Sequence, residues 1–229
     1  MAARITGISS MATRAVLAEL TELYRAQSQA DVAVESVGGV DAAKRVQADE
    51  AFDVVILAAD AIDKLIAGGK VLAGSKADLV RSGVAVAVRA GATRPDIGSE
   101  DALRRAVVGA RTLGFSTGPS GVQLARLFER WGIADEIKSR IVTAPPGVPV
   151  GSLVAKGEVE LGFQQLSELM HLPGIDVLGA LPQEVQIVTI FSGGVCAASS
   201  QPQAARDVLA FMASSVADDA KRRQGMEPA

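Results

Sequence analysis

Residues 114–121, Gly-Phe-Ser-Thr-Gly-Pro-Ser-Gly, run from an apolar strand through a Ser/Gly turn into a helix. A helix start leaves its first N–H groups unsatisfied and bears partial positive charge, so such a turn aims free donors at one spot and suits an anion. Residues 162–169, Gly-Phe-Gln-Gln-Leu-Ser-Glu-Leu, end an apolar strand with two adjacent glutamines. Glutamine donates to an anion without adding charge, and on a strand the two side chains point to opposite faces. One of the pair can reach a ligand while the other braces the backbone. Which of the two reaches a ligand is left open at this point, and a strand end facing water would explain the pair as well.

The same strand–turn–helix signature recurs along the chain. It appears at Ser9–Ser10–Met11, at Gly38–Gly39–Val40, at Ser120–Gly121–Val122, and at the helix start around Val150. Any one of these is an ordinary cap or turn. Four of them at the carboxyl ends of strands, where α/β folds bind ligands, form a candidate anion site. Arg81 precedes an apolar strand and could pair with a ligand carboxylate, whereas Arg14 fits a solvated helix face. Asp60 reads as an N-cap. Glu168 fits a proton-transfer group or, more simply, a solvated carboxylate. No catalytic residue is assigned.

The rest of the composition narrows the chemistry. The chain has 229 residues, 48% hydrophobic but only 3% aromatic, so its core is built from Ala, Val, Leu and Ile. The net charge of −3 is spread over well-mixed acids and bases, with one Trp and one Tyr. This leaves no basic footprint and few stacking platforms for nucleic acid. One histidine, His171, and one cysteine, Cys196, give neither a His/Cys metal site nor an intrachain disulfide. Cys196 lies in an apolar run and reads as core. No metal and no cofactor are expected. The opening residues lead straight into a strand without an apolar leader, so the chain as written is expected in the cytoplasm, or in the periplasm if a leader has been removed.

Positioning these groups requires alternating strands and helices. Strands are expected at 4–9, 31–37, 52–59, 82–89, 112–116, 141–143, 161–164, 175–179 and 186–197, with helices between most of them. The continuous apolar run 52–59 reads as a parallel strand buried on both faces. Pro-Pro-Gly at 145–147 breaks the chain. The resulting fold class is α/β: two doubly wound lobes joined by two crossing strands. The first lobe is 1–81 with 198–229, the second is 82–197, and the ligand cleft lies between them.

This layout resembles the type 2 periplasmic-binding fold, in its molybdate-binding-protein-like branch. The likeness rests on Ser9-Ser10-Met11-Ala12-Thr13, on Asp53 to Asp60, on Gly118-Pro119-Ser120-Gly121-Val122, on Leu103-Arg104-Arg105-Ala106 and on Lys221 to Met226. It implies turn contacts to an anion at Ser10, at Gly39 or Val40, at Gly121 and at Val150. The tyrosine expected of molybdate binders is replaced by Gln165, and the serine-rich turn of the first lobe is Gly-Gly-Val; both departures count against molybdate or tungstate. Residues 150–169, with Pro173-Gly174, are similar to the aconitate isomerase branch of the fold.

Two functions follow. The resemblance implies a monomeric solute-binding protein closing on a small anion, a polycarboxylate or oxyanion, with an ABC transporter as membrane partner if exported. The alternative is a cofactor-free isomerase of an unsaturated tricarboxylate. Molybdate or tungstate binding for transport stands third.

Overall fold

The structure, a computed structural model, describes residues 4–28, 30–145 and 147–229. The expectations for the chain start at 1–3 and for Pro146 in the 145–147 break lie outside the described residues. In chain order the elements are β1 (Ile5–Ser10), a 3-10 turn (Met11–Thr13), α1 (Arg14–Ser28), β2 (Val32–Val37), α2 (Gly39–Gln47), β3 (Val54–Ala58), α3 (Ala59–Ala67) and β4 (Ala77–Arg89). Then come α4 (Glu100–Gly109), β5 (Leu113–Ser116), α5 (Pro119–Arg130), α6 (Ala134–Ile137), β6 (Ile141–Ala144), α7 (Val150–Lys156), β7 (Leu161–Gln165), α8 (Leu166–Leu169) and β8 (Ile175–Ala180). The chain closes with β9 (Val188–Val195), α9 (Pro202–Ala213), α10 (Asp218–Arg223) and β10 (Glu227–Pro228). The protein is therefore mixed α/β, and it divides into two compact units, 1–82 with 189–229, and 83–188.

In the first unit the strands run β2-β1-β3-β9. β1 pairs parallel with β2 and β3, and β3 pairs antiparallel with β9. The expected parallel strand at 52–59 is thus parallel on one side only. Its burial on both faces is as expected: Val54 and Ile56 pack with Val16, Leu17 and Leu209 of α1 and α9, while Val55 and Leu57 pack with Ala42, Ile62 and Leu65 of α2 and α3. A period of two within a wholly apolar run feeds two helix layers at once. Residues 189–195, expected in the second lobe, pair here with β3 in the first unit. β4 starts at Ala77 rather than 82 because Val80 and Arg81 pair with the C-terminal β10, a strand too short and polar to read from periodicity.

Asp53 ties this unit together. Its carboxylate accepts from Thr6 N at 2.9 Å, Thr6 Oγ1 at 3.2 Å, Ser199 Oγ at 2.6 Å and Gln201 Nε2 at 3.1 Å. Burial opposes its ionisation, but the hydrogen bonds from Ser199, Thr6 and Gln201 outweigh it and hold the pKa below the usual aspartate value. The stabilisation is therefore present above the ordinary aspartate range and lost as the pH falls below it. Asp53→Ala is expected to cost about 2 kcal/mol at pH 7, read by urea denaturation, because it strands several half-buried donors at once.

In the second unit β5 pairs parallel with β6 and β7, and β4 pairs antiparallel with both β7 and β8. Val84, Val86 and Val88 join a core with Leu103, Phe128 and Phe163, while Ala85 and Ala87 face Leu169 on the other side. Phe128 stacks against Phe115, Trp131 and Phe163 at centroid distances of 5.8–6.1 Å, so four of the few aromatics fill one spot. α7 lies so close to β7 that a side chain at Gly162 would collide with Val154. Among the described residues no helix is long and apolar enough to cross a membrane.

Candidate functional site

Parallel pairing aligns the carboxyl ends of β1, β2 and β3 at one end of the first unit, and those of β5, β6 and β7 at one end of the second. In the first unit Ser10 caps the 3-10 turn, its Oγ accepting from Ala12 N at 3.4 Å. Ser9 is fully buried, with its hydroxyl 2.8 Å from that of Ser36, so it braces β1 on β2. Met11 is half-buried. Gly38 and Gly39 open α2 with no side-chain cap, and a methyl on Gly39 would sit 3.7 Å from Ser10 Oγ. Ser10 and Gly39 are therefore brought together, with exposed Val40 beside them in sequence. Asp60 is not the N-cap of α3. That position is Ala58, and Asp60 sits inside the first turn, exposed and 3.6 Å from Lys64.

Arg81 donates from Nε to Pro228 O at 3.1 Å, which engages it with the C-terminal strand. Arg14 is exposed, as a solvated helix face requires.

In the second unit α5 begins at Gly118 without a side-chain cap, while Ser116 Oγ accepts from Gly118 N at 3.3 Å. α2 and α3 carry Asp41 and Asp60 in their first turns, whereas α5 has no acid there. Its positive end, like that of α7, has no acid in the first turn to compensate it. Ser120 is buried and Val122 exposed. Gly121 packs directly on the Ser116 carbonyl, where no side chain fits.

The largest departure concerns the glutamine pair. Both are buried, Gln164 at 4% and Gln165 at 3% exposure. Gln164 is the brace: its Oε1 accepts from Val150 N at 2.8 Å, and its Nε2 donates to Glu168 Oε1 at 2.8 Å. Val150, expected to offer its N–H to an anion, therefore gives it to Gln164. The cause is geometric: β7 and α7 pack closely enough for a strand-end carboxamide to cap the facing helix. Gln165 ends β7 opposite Val84.

Glu168, expected to be a solvated or helix-dipole carboxylate, is half-buried. Burial pushes its pKa up to about 7, and the hydrogen bond from Gln164 pulls it back only in part. The elements packed against α8 carry no charge on β7, Lys156 on α7, Asp176 on β8 and Asp78, Arg81 and Arg89 on β4, with exposed His171 just after the helix. None of these contributes to the shift. A carboxyl poised near neutrality can exchange protons at physiological pH. The spacing of four between Gln164 and Glu168 was the available signal, but a strand–helix boundary between them hid it. Cys196 is buried core as expected, its thiol pushed up to about 12 by burial and by the charge of Asp53. Among the described residues no group of three or more His, Cys, Asp or Glu is placed to hold a metal ion.

An α/β chain with these strand-end turns falls in the class of solute-binding proteins. The chain belongs to the family of bacterial extracellular solute-binding proteins, which matches residues 5–227. It is 37% identical to an aconitate isomerase from Pseudomonas sp., over 98% of this chain and 88% of that protein. Its fold matches the periplasmic molybdate-binding protein of Azotobacter vinelandii with a TM-score of 0.80 at 18% identity, covering 97% of this chain and 98% of that one. It also matches a sulfate-binding protein of Mycobacterium tuberculosis, with a TM-score of 0.79 at 16% identity, covering 99% and 87%.

Proposed function

We propose that the protein binds an unsaturated polycarboxylate and isomerises it, as an aconitate isomerase does. The observation that supports this most is the 37% identity sustained over nearly the whole chain, far above the identity to the molybdate and sulfate binders that share the fold. In this reading Ser120, Gly121 and Gln165, at the strand ends of the second unit, hold a carboxylate through hydroxyl, backbone and amide groups, and Ser10 and Gly39 offer the same kinds of group within the first unit. The apolar residues Val122, Val148 and Met170, exposed around the strand ends of the second unit, suit a carbon skeleton better than an inorganic oxyanion. The test is proton NMR of cis- and trans-aconitate incubated with the protein. Interconversion in proportion to protein concentration is expected, and its absence at micromolar protein over hours would sink the reading.

The family match favours a second reading: a solute-binding protein that only holds an organic anion and delivers it to an ABC transporter. It predicts thermal stabilisation by the same ligands without turnover. Stabilisation alone does not separate the two, since any ligand of the native state produces it.

A further inference from the structure

We propose that Glu168 is the acid–base group that takes a proton from the substrate and returns it, with Gln164 as the positioning residue that holds its carboxyl. This rests on the isomerase reading above. The carboxyl is fixed through one oxygen only. Oε1 accepts from Gln164 Nε2 at 2.8 Å, while Oε2 has no hydrogen-bond partner among the described residues and is not sealed away from solvent. Gln164 cannot swing aside, because its own Oε1 is held by the Val150 N–H at 2.8 Å. A carboxamide pinned at both ends thus presents one free carboxylate oxygen, three residues from Gln165. The chemistry of the donor matters. An arginine or lysine at position 164 would orient the carboxylate equally well but would depress its pKa and its basicity, whereas an uncharged amide orients it at smaller cost to basicity. The alternatives are less fit: Asp53 is held by four hydrogen bonds, Asp60 is exposed beside Lys64, and Cys196 is buried with a raised pKa.

The step balances without a co-reactant. The Glu168 carboxylate removes a proton from the methylene carbon next to the double bond, so that a C–H bond breaks and an O–H bond forms. The electron pair enters the three-carbon system and is spread onto the adjoining carboxylates, where helix-start N–H groups stabilise it. The proton then returns to the far carbon, a new C–H bond forms, the double bond has moved by one position, and the carboxylate is restored.

The test compares wild type with Glu168→Gln and Gln164→Leu, using trans-aconitate as the probe. Glu168→Gln is expected to bind it within about threefold by calorimetry and to lose about 10³-fold in kcat, within the usual range for an acid–base group. In deuterated water the first wild-type turnover should leave part of the product unlabelled, because one oxygen takes and returns the same hydrogen. Gln164→Leu should lower kcat with little change in KM and move the acid limb of kcat/KM to higher pH, since it removes the contact that lowers the Glu168 pKa. An isomerising wild type with a fully active Glu168→Gln overturns the role of Glu168 and leaves the isomerase reading intact. A wild type that binds trans-aconitate without converting it overturns both. A Gln164→Leu variant changed in KM alone, with an unmoved pH profile, overturns the positioning role.

Discussion

Gly121→Ala is expected to destabilise the second unit by about 3 kcal/mol or more, at the upper end of what overpacking costs, and to abolish ligand binding. The Cβ of any residue at 121 would fall inside the carbonyl of Ser116, with the backbone carbon of Ser116 and the ring of Phe115 close behind. Backbone cannot yield as a flexible side chain does, so the start of α5 must lift off the end of β5. That displaces Ser120, and it pulls at Phe128, whose ring meets Phe115 and Trp131. Urea denaturation should show a lowered midpoint, and calorimetry with aconitate should show no binding. A variant with an unchanged midpoint and wild-type affinity would mean that the helix start is not wedged on the strand as described.

Glu168→Gln is expected to stabilise the protein by about 3 kcal/mol at pH 8 while removing its activity. The carboxyl is raised from the usual 4.5 to about 7 by burial, and each unit corresponds to about 1.4 kcal/mol. Between those two values the native state holds a proton that the unfolded chain has already released. Stability therefore falls as the pH rises from about 4.5 to about 7, and the loss is complete above that. Glutamine has a similar shape, keeps an oxygen for the Gln164 donor and never ionises, so the variant should lack this slope. The two proteins should converge near pH 4.5 and separate by pH 8 in urea midpoints measured across that range. A variant no more stable than wild type at pH 8 would show that the carboxyl is hydrated rather than enclosed. Gain of stability with loss of turnover marks a group kept for function at the expense of folding.

Much of the frame was legible because it depends on local pattern. The run at 54–58 is apolar without a break, and a strand with no polar face must be covered on both sides. The turn at 118–121 combines Gly, Pro and Ser in the order a helix start uses, and α5 begins there at Pro119. Less legible were features set by contacts between distant residues. β10 pairs two residues with β4 across about 147 positions of chain, and nothing local announces it. The place where β9 belongs depended on its partner β3, which its own composition does not name.

The sequence by itself determined that this is an aliphatic α/β protein whose strands end in uncharged Ser, Gly and Gln residues. Those properties follow from residue type and from periods of two and 3.6, which short windows contain. Only the tertiary structure decided that Gln164 is the glutamine that braces α7 and Glu168. It also showed that Val150 spends its N–H on Gln164, and that Glu168 is half-buried with its pKa raised by burial. The reason is physical: burial and hydrogen-bond partnership are properties of the surrounding volume. For Glu168 that volume is walled by α7, β7 and β8, segments separated along the chain and joined only by packing.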